Sequence, residues 1–101
     1  MFLRKRYSRF SGNMVLKYKG SFKRDLELAN RVVILDVYNA IINIKQASSA
    51  EQIHHLKKLR DYKTHYGIKI ASDYRLGVII RGNTVWFTCL GHCSAFYKEF
   101  P

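Results

Sequence analysis

Two basic residues, Lys69 and Arg75, stand in consecutive predicted strands where a cationic surface could form. Side chains in an extended strand alternate between faces, so Gly67 projects with Lys69 and Gly77 projects with Arg75. Glycines on that face leave space for a backbone or a phosphate group to approach closely. The pattern therefore predicts an open, basic surface on one side of a sheet.

The C-terminal tail supplies further side chains for the same surface. It contains His92, Tyr97 and Lys98, and we expect it to fold back beside the last strand. A basic concavity bordered by aromatic rings is typical of single-stranded RNA sites, because cations hold phosphates and rings stack on bases. RNA is therefore the predicted ligand of this surface.

The acidic residues do not favour metal-assisted hydrolysis, since Asp61 and Asp73 occupy loop-like positions far apart in the chain. RNA can break without metal when its 2′-hydroxyl attacks the adjacent phosphate, with a base, an acid and stabilising cations in place. Lys69 could accept the proton only if neighbouring positive charge and partial burial favoured its neutral form. Arg75 could act as a charge clamp, and Tyr97 as a proton donor or a stacking platform.

The cysteines indicate neither a metal centre nor a disulfide. Cys89, His92 and Cys93 lack the usual zinc spacing and a fourth ligand, so we expect no metal and no cofactor. An extended segment between the two cysteines would separate their Cα atoms by about 13 Å, beyond the reach of about 7 Å that a disulfide allows. A bridge would need a sharp turn at Gly91.

The N-terminal half has helical periodicity after one short strand at 15–19. The spacing predicts a helix over 22–28 and a second helix whose apolar positions, Val33 to Ile44, extend it to about Gln46. The capping-box pattern of Ser49 and Gln52 predicts a short third helix. That helix would present basic side chains to solvent, and we predict that these and one tail lysine bind RNA: Lys57, Lys58, Arg60 and Lys98.

The C-terminal half alternates with strand periodicity. It predicts three strands, over 66–70, 74–80 and 85–90, as an antiparallel meander with a tight turn at 81–83. A short helical segment would follow at 94–100. The predicted fold is α+β: an antiparallel β-sheet packed against two or three N-terminal helices, in the order β-α-α-(α)-β-β-β, with a short C-terminal helix.

The composition describes a small and strongly basic chain. Its 101 residues suit one domain, which we place at 14–101 after a basic, flexible arm at 1–13. Lys and Arg number 18 against 7 Asp and Glu, and the net charge of +11 attracts nucleic acid or an acidic protein. The chain shows no secretory signal and no apolar run long enough to span a membrane, so we expect a cytoplasmic protein without a membrane partner.

Several segments resemble the RelE/ParE toxin superfamily, in particular its RelE-like branch that cleaves messenger RNA. They run in this order: Leu56–Tyr62, Tyr66–Ile70, Asp73–Ile80, Gly91–Cys93 and Phe96–Pro101. The resemblance extends from Met14 to Pro101 and implies the toxin of a type II toxin–antitoxin pair. Such a toxin cleaves messenger RNA on the ribosome without metal, inhibits translation and is neutralised by a small acidic antitoxin. The complex with the antitoxin could bind operator DNA.

The resemblance also implies roles for individual residues. The catalytic positions of the family fall on Lys69, Arg75 and Tyr97, and His92 occupies a position that is basic in many relatives. Where relatives carry cations, this chain departs from the pattern at three positions: Gly67, Cys89 and Cys93. These departures predict a folded protein with impaired cleavage.

Other readings of the same residues remain open. The chain could be a non-catalytic homologue that binds an antitoxin, a ParE-like poison of DNA gyrase, or an unrelated RNA-binding module. Its charge could also simply solubilise a basic domain, because surface charge governs association rather than fold. Cleavage of ribosome-bound messenger RNA would separate the enzyme from the binding homologue, and gyrase inhibition would identify the poison.

Overall fold

A computed structural model describes residues 13–100, apart from the side chains of residues 98 and 99. The predicted arm at 1–13 lies outside this range except for its last residue. The RNA-binding role predicted for Lys98 concerns a side chain outside the described set. In chain order the elements are β1 (Val15–Tyr18), α1 (Gly20–Glu27), α2 (Arg31–Gln46), a 3₁₀ turn (Ala50–Gln52), β2 (Leu56–Lys58), β3 (His65–Ile70), β4 (Tyr74–Arg81), β5 (Thr84–His92) and α3 (Cys93–Glu99).

The strands form one five-stranded sheet in the order β1-β5-β4-β3-β2. The predicted antiparallel meander is β3-β4-β5, and the tight turn after β4 contains Gly82 at φ +60. The α+β class is confirmed, and the elements follow the predicted order except that an additional edge strand, β2, precedes the meander. The strand β1 pairs with β5 in parallel, so the sheet is mixed rather than wholly antiparallel.

The main core lies between the sheet and the pair α1–α2. Fully buried side chains from both layers meet there, among them Phe22, Val37, Ile44, Leu76 and Phe87. The helix α2 begins where the Asn30 side chain accepts a hydrogen bond from the Val33 N–H at 3.0 Å, a standard N-cap. The helical stripe predicted from the sequence is therefore the face that packs on the sheet.

The third helix predicted after Ser49 is wrong. Only a single 3₁₀ turn forms there, and residues 56–58 are the edge strand β2, with Lys57 opposite Gly67 of β3. The Gln52 side chain instead accepts a hydrogen bond from the Ser48 N–H at 2.8 Å. Residues 56–58 make their backbone hydrogen bonds with β3 instead of within a helix, so the tertiary pairing overrides the local capping pattern.

A second, smaller core lies on the other face of the sheet, called here the outer face. The helix α3 packs there through Phe96 and Phe100, which are buried against Leu59, Ile79 and Cys89. The predicted C-terminal helix is therefore present. It covers one part of the outer face and leaves the part near β2, β3 and the start of β4 uncovered.

Candidate functional site

Two rows of cross-strand partners lie side by side on the outer face. Residues directly opposite each other in neighbouring strands point to the same side of a sheet. The first row is Lys57, Gly67, Gly77 and Cys89, and the second is Lys69, Arg75 and Gly91. The register thus places two separate cations, from β3 and β4, directly opposite each other.

An open cleft of about 310 Å³ occupies the uncovered part of the outer face. Its walls come from β2, β3, β4 and α3, and its lining residues are His55, Leu56, Lys57, Gly67, Lys69, Arg75 and Tyr97. Lys69, Arg75 and Tyr97 therefore share one cleft, where the alternation pattern and the tail were expected to bring them together. Lys57, predicted to bind RNA, and Gly67, at a departure from the family pattern, line it as well.

The backbone of the β3–β4 turn holds the guanidinium of Arg75. Its Nη1 donates to the Tyr74 carbonyl oxygen at 2.9 Å, and the Ser72 carbonyl oxygen lies 3.5 Å away. The turn is itself anchored to α2, since the Ala71 N–H donates to Oδ2 of Asp36 at 2.5 Å and Ala71 has φ +52. A carboxylate on α2 thus positions the loop on which Arg75 rests.

Lys69 meets only one of the two conditions for a proton-accepting lysine. Arg75 supplies the neighbouring positive charge, because the two residues are cross-strand partners. The side chain of Lys69 is exposed, however, so the partial burial that such a role requires is missing in the free chain. An exposed ammonium beside a guanidinium is suited to binding a phosphate.

The aromatic wall of the cleft depends on the docking of α3. Phe96 is 3% exposed and stacks edge to face with Tyr97, with ring centroids 4.8 Å apart. Tyr97 is 52% exposed, so its ring is available to a ligand. The rings of Phe96 and Phe100 pack against each other, with centroids 5.3 Å apart, and anchor the helix.

The two glycines expected to leave the face open differ from each other. A Cβ atom at Gly67 would lie 3.5 Å from Phe96 Cε2 and 3.8 Å from the Tyr97 hydroxyl, which is ordinary contact distance at the cleft wall. A Cβ atom at Gly77 would lie 2.8 Å from Cys89 Sγ and 3.1 Å from the Phe100 ring. The expectation is wrong for Gly77, because α3 covers it, and the glycine there permits the close approach of the helix.

His92 lies outside the set of residues that line the cleft. Its ring packs edge-on against Tyr74, with centroids 5.6 Å apart, and its Nδ1 accepts a hydrogen bond from the Ser94 N–H at 3.2 Å. His92 is therefore the N-cap of α3. His92 thus helps to position α3. Its catalytic role stays a prediction, because His92 does not line the cleft.

The other departures from the family pattern also lie away from the cleft. Cys89 packs in the small core beneath α3, and Cys93 is the first residue of that helix, with its N–H donating to the Asp73 carbonyl oxygen at 2.7 Å. No disulfide joins these two cysteines. Of the three positions, only Gly67 contributes to the cleft wall.

Two further cations predicted to bind RNA, Lys58 and Arg60, do not line the cleft. Lys58 is exposed and pairs with Tyr66, so it points away from Lys57 by strand alternation. Arg60 is exposed just beyond β2. Among the residues that the structure describes, no group of three or more His, Cys, Asp or Glu side chains could hold a metal ion.

His55 is the cleft residue that sequence reasoning missed. It precedes β2 with φ +62, and it lines the cleft together with Lys57. The short helix predicted after Ser49 gave no indication that His55 would line a cleft. Strand alternation would not have placed it either, because His55 lies just before β2 in the left-handed region rather than in extended backbone.

The fold is α+β and has the architecture of RelE-like toxins. The chain is 33% identical over 46 residues to Toxin RelE3 of Methanocaldococcus jannaschii, a match covering 46% of this chain and 51% of that protein. The match thus spans about half of that relative's length. No family model matches the sequence.

Solved structures extend the similarity to most of the chain. The toxin–antitoxin complex RelB-RelE from Methanococcus jannaschii contains a chain that superposes with a TM-score of 0.71 at 22% identity, covering 84% of this chain and 99% of that one. A chain of the DinJ-YafQ complex of E. coli superposes with a TM-score of 0.59 at 15% identity, and the match covers 84% of this chain and 99% of that one. A chain of the RelBE2 toxin–antitoxin complex of Mycobacterium tuberculosis superposes with a TM-score of 0.54 at 19% identity, and the match covers 80% of this chain and 92% of that one. The resemblance to the RelE-like toxin superfamily is confirmed.

In the described residues, 13–100, no helix is both long and apolar enough to cross a membrane.

Proposed function

We propose that this chain is the toxin of a type II toxin–antitoxin pair, an endoribonuclease that cleaves messenger RNA on the ribosome. The observation that carries the proposal is the shared cleft of Lys57, Lys69, Arg75 and Tyr97. Cations and an exposed ring on one concave surface suit a single RNA strand. The sequence match to a protein named as a toxin supports the same conclusion.

The proposed reaction is an attack by a ribose 2′-oxygen on its own 3′-phosphorus. The new O2′–P bond forms as the P–O5′ bond breaks, which yields a 2′,3′-cyclic phosphate and a 5′-hydroxyl. The His55 imidazole accepts the 2′-proton, and the Tyr97 phenol donates a proton to the leaving O5′. Lys69 and Arg75 offset the negative charge that develops on the phosphate oxygens.

The ribosome has a physical part in this mechanism. Lys69 is exposed in the free chain, and its attraction for phosphate is weakened by water. Ribosomal RNA packed around the cleft would exclude that water and hold the messenger in line for attack. The free chain is therefore proposed to bind RNA weakly and to cleave it poorly without ribosomes.

We further propose that cleavage by this chain is impaired. The resemblance implies a cation at position 67, and Gly67 leaves that part of the cleft wall without one. Loss of one preorganised donor near developing charge costs on the order of 10²–10³ in rate. Cys89 and Cys93, at the other two departures, lie beneath and at the start of α3, where a change acts through the helix.

Restoring cations at the three departures tests, in one experiment, both the proposed cleavage of messenger RNA and its proposed impairment. Gly67→Arg alone, and Gly67→Arg with Cys89→Arg and Cys93→Arg, are induced in growing cells, and cut sites on translated messenger RNA are mapped by primer extension. We expect growth arrest and cuts from the restored variants. Leu28→Arg, at a residue that is 82% exposed and does not line the cleft, is the control for added charge. Restored variants no more toxic than this chain would refute the impairment.

The exposed Lys69 and the missing cation at Gly67 also favour a second candidate, a homologue that binds an antitoxin without cleaving RNA. The two candidates differ in one result. If the restored variants fold and still leave translated messenger RNA intact, the non-catalytic reading replaces the enzyme.

The proposed partners follow from charge. A small acidic antitoxin would be drawn to a chain of net charge +11, and the complex could then contact operator DNA. Ribosome and messenger RNA are the proposed targets, which places the protein in the cytoplasm. Co-expression with a neighbouring acidic reading frame should restore growth to cells that carry an active variant.

A further inference from the structure

A second cavity lies beside the cleft, between α2 and the edge of β3. Strand β2 pairs with β3 over 66–68, so the end of β3 extends beyond it. The cavity has a volume of about 310 Å³ and is called here the edge pocket. It is lined by, among others, Asp36, Asn39, Asn43, His54, Lys69 and Ala71. Because His55 and Lys69 line both the edge pocket and the cleft, the two spaces adjoin.

One side of α2 forms a polar wall of the edge pocket. Asp36, Asn39 and Asn43 follow one another at spacings of three and four residues, so they share one side of the helix. The buried residues Ile68 and Ile70 of β3 supply an apolar part of the lining. An apolar lining with a few placed polar groups is typical of small-ligand sites, whose volumes start at about 300 Å³.

Hydrogen bonds hold the polar wall in place at both of its ends. At one end the Asp36 carboxylate accepts the Ala71 N–H. At the other end Oδ1 of Asn43 accepts the His54 N–H at 2.9 Å. This bond identifies Oδ1 as the acceptor, so Nδ2 of Asn43, with its two N–H donors, is turned away from the His54 backbone. The pocket thus has a fixed carboxylate at one end and a fixed amide at the other.

The carboxylate of Asp36 determines which part of an RNA strand the edge pocket can accept. A phosphate is repelled by Asp36 and attracted to the cations of the cleft. A nucleobase is uncharged, and its exocyclic amino group donates to carboxylates, as cytosine N4 does. Uracil has a carbonyl oxygen at that ring position, which would face the carboxylate oxygens. His54 adds an imidazole on which a base can stack.

We propose that the edge pocket is a specificity subsite that receives one nucleobase of the RNA strand held in the cleft, and that it prefers a base with an exocyclic amino group to uracil. Asp36 accepts the amino N–H, and the amides of Asn39 and Asn43 contact the ring nitrogens and carbonyl oxygens of the base. Lys69, which lines both spaces, contacts the phosphate between them. The inference rests on the proposed function, because it needs an RNA strand in the cleft.

The test compares two 2′-O-methylated hexanucleotides, one of cytidine and one of uridine, which have equal charge and differ only in the base. Their binding to the full chain is measured by fluorescence anisotropy. We expect cytidine to bind about tenfold more tightly than uridine, a difference of about 1.4 kcal/mol. Asp36→Asn retains an oxygen for the Ala71 N–H and replaces the other oxygen with an amide donor, so the ratio of the two Kd values should fall to about one or invert.

Three further variants separate base preference from charge and from folding. Glu27→Gln removes one negative charge from an exposed position on α1 and should strengthen binding of both oligonucleotides alike. Lys57→Gln removes a cation from the cleft wall and should weaken both alike. Asn39→Ala, at an exposed position, should reduce the preference for cytidine about threefold, because the base loses one amide contact.

Two outcomes would overturn the subsite and leave the cleft in place. The first is equal binding of the two oligonucleotides to the parent chain, with Lys57→Gln still weakening both. The second is a preference for cytidine that survives both Asp36→Asn and Asn39→Ala, in variants that circular dichroism shows to be folded. If Asp36→Asn does not fold, Asn39→Ala decides. Binding of both oligonucleotides weaker than millimolar would overturn the proposed function itself, and the subsite with it.

Discussion

Replacing Gly77 with alanine should loosen α3 and with it the aromatic wall of the cleft. Gly77 lies in β4 beneath the helix, where an added Cβ would come within 2.8 Å of Cys89 Sγ and 3.1 Å of the Phe100 ring. Real Cβ atoms essentially never show the first of these distances, so Cys89 Sγ must rotate away or the backbone must shift, and the Phe100 ring at 3.1 Å must also give way. Because Phe100 and Phe96 anchor α3, that movement displaces Tyr97.

The expected cost of Gly77→Ala is about 1–3 kcal/mol, the usual range for overpacking a core. Gly67→Ala is the matched control, since its Cβ would meet Phe96 and Tyr97 at 3.5 Å or more. Both changes reduce the conformational entropy of the unfolded chain to the same extent, and this effect alone would stabilise the folded state by about 0.4–1 kcal/mol. The difference between the two variants therefore isolates contacts in the folded state.

Thermal unfolding followed by circular dichroism measures this difference, at about 4–8 °C per kcal/mol for a domain of this size. Gly77→Ala should melt well below the parent chain, and Gly67→Ala at or above it. Adding Cys89→Ala to Gly77→Ala removes the shortest contact and should recover part of the loss. Equal melting temperatures for the two alanine variants would refute the account of how α3 is seated.

Three further predictions concern the cleft, the turn beside it and pH. Lys69→Gln should weaken binding of a single-stranded RNA about tenfold and reduce the slope of log K against log salt by about 0.7. Asp36→Ala should cost about 1.5–3 kcal/mol in urea unfolding, because the Ala71 N–H loses a charged acceptor. Burial raises the pKa of the Tyr18 hydroxyl above 10.0, so the folded state holds that proton more tightly than the unfolded chain. Stability from Tyr18 is complete below pH 10 and falls as pH rises through the folded value, and Tyr18→Phe should flatten this fall.

Matched variants control for unspecific effects. Lys23→Gln removes the same charge as Lys69→Gln from an exposed position on α1, and RNA binding should change far less. Asn39→Ala, at an exposed position on α2, should alter stability by less than about 0.5 kcal/mol. If Lys23→Gln weakened RNA binding as much as Lys69→Gln does, RNA binding would depend on net charge rather than on the cleft.

Local patterns in the sequence predict those parts of the fold that local forces decide. The recurrence of Val33, Val37 and Ile44 predicts α2, because one helical face has to be buried. Strand alternation places Lys69 and Arg75 on one face, which the register bears out. Tyr97 was expected beside them because the tail should fold back, and the resemblance to toxins supports it, although its position depends on a helix that packs across the sheet.

Features that depend on long-range pairing were not predictable in this way. The edge strand at 56–58 exists because β3 offers it a partner, and a capping pattern at Ser49 carries no information on that pairing. His55 could not be placed either, because it lies just before this strand in the left-handed region rather than in extended backbone. The parallel pairing of β1 with β5 joins segments that are far apart in sequence. The covering of Gly77 by Phe100 depends on where α3 docks, and glycine alone does not distinguish an open site from a covered one.

The central claim, that the cleft holds an RNA strand, is tested most directly by amide chemical shifts on titration with a 2′-O-methylated oligonucleotide, which binds without being cut. A second basic and aromatic surface exists at Lys17, Lys19 and Trp86, where the lysine Nζ atoms lie 5.4 and 5.9 Å from the indole centroid. We predict that the largest shifts occur at the cleft residues, His55, Lys57, Gly67, Lys69, Arg75 and Tyr97. Largest shifts around Trp86 or along α2, with the cleft amides unmoved, would contradict the account.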